Sequence, residues 1–155
     1  MDFSKVSHNI QKFIDVDLEL CQKLRQYCYP IVGCCQEVHK EMGPFLNEYM
    51  YQDALVFALE DAGFTNDNLV KEYYFKTKYK DHEIKHTHKV DFLVNKKVFV
   101  ECKAVESLNS ECRQQLWNYM RLSGIKIGIL YNFAPINDQC ERYYYAPEKQ
   151  AIFAF

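Results

Sequence analysis

The sequence predicts an α/β fold, a mixed central sheet flanked by helices, and three stretches carry that expectation. Residues 90–94 and 98–102 are alternating apolar runs joined by Asn95-Lys96-Lys97, a connection of hairpin length. Residues 125–133 form a nearly continuous apolar run, as expected for a strand covered on both faces. Around these, apolar residues recur at helical spacing in segments long enough to cover a sheet.

In chain order, residues 4–29 bring Phe13, Ile14, Leu18, Leu20, Cys21 and Leu24 to roughly helical spacing, and Tyr29-Pro30 is expected to stop the run. Residues 1–30 are therefore expected to be a helical extension of a domain spanning 31–155. A second helix is expected over 31–42, ended by Gly43-Pro44. A third, from about 46 to 62, stops at Gly63 and buries Tyr51, Ala54, Leu55, Ala58 and Leu59. Glu48 shares that side with Tyr51, Gln52 and Leu55, where the helix dipole suffices to stabilise its charge.

Residues 70–79, rich in aromatic and β-branched side chains, read as the first strand, and Lys80-Asp81-His82-Glu83 as a polar turn. The second strand is expected from near Ile84. His86 and His88 share one of its faces at a parity opposite to Asp91, as solvated edge residues do, with His88 or Lys89 available to a phosphate. After the hairpin, 107–110 offers N-cap residues for a helix ending near Gly124. Its inward stripe is Cys112, Leu116, Tyr119, Met120 and Ser123; Gln115 and Tyr119 stack four apart, and Arg113 and Arg121 are candidate phosphate contacts. Residues 142–145 are expected to add an edge strand. The apolar run 151–155 either packs back on the core or meets another subunit.

Composition fits one domain, since 155 residues at 48% hydrophobic content can bury a core without staples. No apolar run reaches transmembrane length and no signal-peptide core is visible, so no membrane role is expected. The seven cysteines are odd in number, contain no C-x-x-C and fall within apolar patterns, which points to reduced thiols and a cytoplasmic setting. A net charge of −2 counts against strong non-specific nucleic-acid binding. Yet eight lysines (76, 78, 80, 85, 89, 96, 97 and 103) gather in the central third, where a local basic cleft can form.

The chemistry of the hairpin depends on register. With a three-residue connection Val94 faces Val98, and Asp91 stands opposite Glu101; a two-residue connection puts these carboxylates on opposite faces. Parity puts Val90, Phe92, Val94, Val98, Val100 and Cys102 on one face and Asp91, Leu93, Phe99, Glu101 and Lys103 on the other. Adjacent carboxylates repel unless a divalent cation sits between them, and hard oxygen ligands suit Mg²⁺ or Mn²⁺. Lys103 emerges beside Glu101, able to orient a water or stabilise charge on a phosphate. The alternative is an exposed strand face on which Lys103 merely neutralises Glu101.

Asp91 followed by Glu101-Cys102-Lys103 resembles the Asp…(Asp/Glu)-x-Lys signature of the PD-(D/E)XK nuclease superfamily, and more closely its bacterial GxxExxY proteins. Glu37-Val38-His39-Lys40 before Gly43-Pro44, Glu48-x-x-Tyr51, the hairpin, Gln115-x-x-x-Tyr119 and the run 127–133 follow that family's order over roughly 31–134. The leading glycine of GxxExxY is Phe45 here, which questions local backbone geometry more than chemistry.

The resemblance implies a restriction-endonuclease-like core and metal-dependent hydrolysis of phosphodiester bonds, with DNA favoured over RNA. By that likeness Glu48, Asp91 and Glu101 would hold Mg²⁺ or Mn²⁺, Lys103 would position water, and Gln115 with Tyr119 would orient the nucleic acid and the active-site groups. Two other expectations stand beside it. One is a non-catalytic nucleic-acid-binding or scaffold protein on a nuclease fold, acting with a partner or second subunit through its apolar ends. The other is an unrelated domain with an incidental carboxylate pair.

Overall fold

The computed structural model describes residues 11–12 and 17–155. Of the residues read as the first helix, Phe13 and Ile14 lie outside these. Gln11–Lys12 (β1) is not helical: it runs as a strand parallel to Phe153 and Ala154.

Helix α1 spans Leu18–Met42 and passes through Pro30 without a break, so the stop expected at Tyr29-Pro30 does not occur. Its buried stripe Cys21, Leu24, Cys28, Ile31, Cys35 and Val38 keeps helical spacing across the proline. Pro30 itself is exposed, as is Gln26, whose carbonyl loses its partner and can bond water instead. Burial of the stripe overrides the local penalty. The helix starts where the Asp17 side chain accepts the Leu20 N–H at 3.0 Å.

Helix α2 (Glu48–Asp61) follows, then β2 (Leu69–Tyr79), β3 (His82–Val94), β4 (Val98–Lys103), α3 (Ser110–Ser123), β5 (Ile127–Asn132), β6 (Gln139–Ala146) and β7 (Ala151–Ala154). The expected order helix–strand–strand–strand–helix–strand is present as α2–β2–β3–β4–α3–β5. The described strands form one sheet in the order β1-β7-β6-β5-β4-β3-β2, mixed because β4 and β5 run parallel through the α3 crossover. Helices α1 and α2 cover one face with Phe92, Val94, Val100 and Ile129; α3 covers the other with Leu93, Phe99 and Leu130. Gly128 allows α3 its close approach, since a Cβ there would meet Met120 Sδ at 2.6 Å.

The segment read as an edge strand is interior. β6 pairs with β5 on one side and β7 on the other, because the apolar run 151–155 packs back as a strand rather than standing free. Ile152, Phe153 and Phe155 are buried by this pairing. Five of the cysteines, Cys21, Cys28, Cys34, Cys35 and Cys102, are buried thiols of the core.

Candidate active site

The β3–β4 connection has three residues, with Asn95 and Lys96 both left-handed at φ 54° and 59°. Val94 therefore pairs with Val98, and Phe92 with Val100. This register carries Asp91 opposite Glu101. The backbone ladder ends at Phe92 and Val100, and the two acids take over the pairing. The Asp91 N–H donates to Glu101 Oε1 at 2.8 Å, and the Cys102 N–H donates to Asp91 Oδ2 at 2.9 Å.

Alternation fails at the same place. Glu72, opposite Asp91 on β2, has φ 57° in the left-handed region, and both strands exchange faces there. Val90 consequently joins Leu93 and Phe99 on the α3 side instead of sharing the face of Phe92. The exchange also turns His86 and His88 into the cleft beside Asp91, where simple parity excludes them. Their rings are 4.9 Å apart, and the His88 ring lies 5.9 Å from that of Tyr119. Only the positive φ of Glu72 reveals this, and a glutamate gives no sequence signal for it.

Glu48 reaches the cleft from the first turn of α2, and the motif's tyrosine explains how. Tyr51 is fully buried, stacks on Phe133 with centroids 4.9 Å apart, and its hydroxyl serves the loop before the helix. It donates to the Gly43 carbonyl at 2.7 Å and accepts the Leu46 N–H at 3.0 Å. Within that loop Phe45 has φ 66°, the conformation that a glycine adopts without strain. His39 Nε2 lies 2.8 Å from the Pro135 carbonyl, fastening the end of α1 to the loop after β5.

The six residues expected to hold metal, water or substrate meet in one cleft of about 490 Å³: Glu48, Asp91, Glu101, Lys103, Gln115 and Tyr119. His86, Thr87, His88, Lys89, Tyr49 and Gln52 complete its wall. Lys103 Nζ donates to Gln115 Oε1 at 2.7 Å and stands 3.9 Å from Glu101 Oε2. Burial raises the proton affinity of the Tyr119 hydroxyl, and the neighbouring Gln115 side chain works against it. Of the other candidates, Arg113 does not serve the cleft: it forms a forked pair with Glu141, its Nη2 2.7 Å from Oε1.

Burial raises the proton affinity of all three acids. Burial and then the Asp91 charge push Glu101 up to about 8. Burial lifts Asp91, against the Cys102 N–H and the Lys103 charge, and burial with Asp91 lifts Glu48. Burial and the neighbouring His86 hold His88 below the usual imidazole range.

After the backbone bonds, Asp91 Oδ1 and Glu101 Oε2 are left toward the cleft. Two crowded hard oxygens, with a single lysine beside them, fit a small divalent cation that keeps several waters. Among the described residues, no group of three or more His, Cys, Asp or Glu side chains stands at metal-holding spacing, so Glu48 shares the cleft without closing such a triad.

No curated protein matches the chain. A solved structure titled "Crystal structure of SSO0001" is 20% identical, over 61% of this chain and 50% of that one, with a TM-score of 0.41. The chain thus spans about half the length of that relative. A family profile described as the PD-(D/E)XK nuclease superfamily matches residues 25–143, the segment that contains every cleft residue named above. The chain belongs to the PD-(D/E)XK nuclease superfamily.

Proposed function

We propose that this protein hydrolyses phosphodiester bonds of nucleic acid, DNA in preference to RNA, with a divalent cation held by Asp91 and Glu101. The observation that carries the reading is their reciprocal bonding across the end of the β3–β4 ladder. It fixes the buried Glu101 carboxylate and the half-buried Asp91 carboxylate side by side, next to a lysine and in an open cleft. Nucleases of this superfamily usually use divalent metals. Mg²⁺ or Mn²⁺ bound there, with Glu48 completing its shell directly or through water, would acidify a water and offset charge on the phosphate.

The remaining steps belong to side chains of the chain. Gln115 holds Lys103 Nζ through its Oε1, so the ammonium is directed into the cleft instead of collapsing onto Glu101. From there Nζ would donate a hydrogen bond to the attacking water or to the phosphoryl oxygen on which charge develops. Tyr119, beside the same glutamine in the cleft, would orient the nucleic acid. Lys89, on the opposite wall, would contact a flanking phosphate. A reducing cytoplasm is the matching compartment for its buried thiols.

The test is a cleavage assay with Mg²⁺ or Mn²⁺ on linear, circular and single-stranded DNA and on RNA, comparing wild type with Glu101→Ala. Metal-dependent cleavage by the wild type alone supports the reading. Binding without cleavage by either protein would point to the non-catalytic alternative.

A further inference from the structure

The β2–β3 ribbon outruns the rest of the sheet. Strand β3 begins at His82, yet β4 pairs with it only over Phe92–Val94, so the ribbon stands beyond the sheet edge from the cleft to its turn. From Tyr73 to Tyr79 that is about 20 Å at an extended rise of roughly 3.3 Å per residue. Tyr73 and Phe75 at its root pack on the core beneath α3, but residues 82–87 are exposed throughout, so no core explains the outer part of the ribbon.

Its chemistry is distinct from that of the chain. Residues 71–89 carry six lysines against three carboxylates, in a protein whose net charge is −2. Lys71, Lys76 and Lys89 are paired with Asp53, Glu83 and Glu72. Lys78, Lys80 and Lys85 are exposed, and none of them forms an ion pair with a described residue. Between them stand exposed rings: Tyr74 is 57% and Tyr79 63% accessible, with the Lys80 ammonium 5.4 Å from the centre of the Tyr79 ring. Unpaired cations interleaved with exposed aromatic rings form a stacking platform on a positive track, the surface that binds unpaired nucleotides. At its root the track enters the cleft through His86, His88 and Lys89.

We propose that the β2–β3 ribbon binds single-stranded nucleic acid, Lys78, Lys80 and Lys85 contacting phosphates while Tyr74 and Tyr79 stack on bases, and leads the strand into the cleft. This rests on the hydrolytic reading only for the destination of the strand; the binding surface stands on the ribbon itself. Duplex, whose bases are already stacked, gains nothing from the tyrosines.

The experiment measures fluorescence anisotropy of labelled single-stranded DNA, single-stranded RNA and duplex DNA with the full chain, free of divalent cations so that nothing is cut. Wild type is expected to prefer single strands over duplex. Lys78→Gln/Lys80→Gln/Lys85→Gln should weaken single-strand binding about tenfold and lower the salt slope by roughly two. Tyr74→Ala/Tyr79→Ala should weaken it about tenfold and leave duplex binding unchanged. Unaltered melting temperatures, and recovery with arginine at the three lysine positions, separate these effects from misfolding.

Equal affinity of wild type and both variants, duplex binding as tight as single-strand binding, or no binding at all would overturn the proposal. Adding Mg²⁺ then separates the two readings. Cleavage with KM unchanged in both variants overturns the ribbon and leaves the nuclease. Ribbon-dependent binding with no cleavage supports the ribbon and removes the nuclease.

Discussion

Asp91 and Glu101 hold each other in place: the amide of Asp91 bonds the carboxylate of Glu101, and the carboxylate of Asp91 bonds the amide that follows Glu101. Two side chains thus fill the places of ladder carbonyls where the strands part. The arrangement keeps two acidic groups together where burial disfavours their charged forms, at a cost visible in their raised proton affinities.

That cost gives the first prediction. Burial and the neighbouring Asp91 push Glu101 from its ordinary value near 4.5 up to about 8 in the folded chain. Across that window the folded protein keeps a proton that the unfolded chain has released, so its stabilising effect is complete below the unfolded value. It is lost as pH rises through the folded value, by up to about 1.4 kcal/mol per pH unit. Asp91 shifts in the same direction. The melting temperature of the metal-free protein should fall between about pH 5 and pH 8, and Glu101→Gln should flatten the profile. Saturating Mg²⁺ near pH 8 should restore much of the loss; a flat wild-type profile would contradict the burial argument.

Tyr51→Phe keeps the ring stack on Phe133 and removes both hydroxyl bonds to the loop before α2. The lost pairing of the Gly43 carbonyl and the Leu46 N–H should cost about 1–3 kcal/mol in urea denaturation. Because Glu48 opens that helix, metal-dependent cleavage should also fall. A variant as stable as the wild type would show that the hydroxyl does not pin the loop.

Pro30→Ala should stabilise the chain. It restores an N–H for the Gln26 carbonyl on an exposed surface and removes a ring from a helix interior, a change worth up to about 3 kcal/mol. Thermal denaturation measures it directly; a destabilised variant would mean that the break contributes something to the fold.

The site was legible where alternation holds, and hidden where one residue breaks it. Phe92 to Cys102 carried the hairpin, and its three-residue connection decided that Asp91 and Glu101 would meet. The motif order brought Glu48, Gln115 and Tyr119 to the same cleft from two helices on opposite faces of the sheet. His86 and His88 were misplaced because Glu72 adopts a left-handed conformation that its identity does not announce. Pro30 looked like a stop because local propensity says so, while the stripe from Cys21 to Val38 needs a continuous helix to bury it. β6 looked like an edge strand because its second partner, β7, follows a turn at the very end of the chain.

The most direct measurement is the rate of nucleic-acid hydrolysis by Lys103→Ala beside wild type in saturating Mg²⁺, with melting curves for both. Lys103 lies between Gln115 and Glu101 at the edge of the carboxylate pair, and its ammonium is the group assigned to the water or phosphate. A loss of about 100-fold or more with an intact fold is the expected result. Hydrolysis at the wild-type rate would contradict the account.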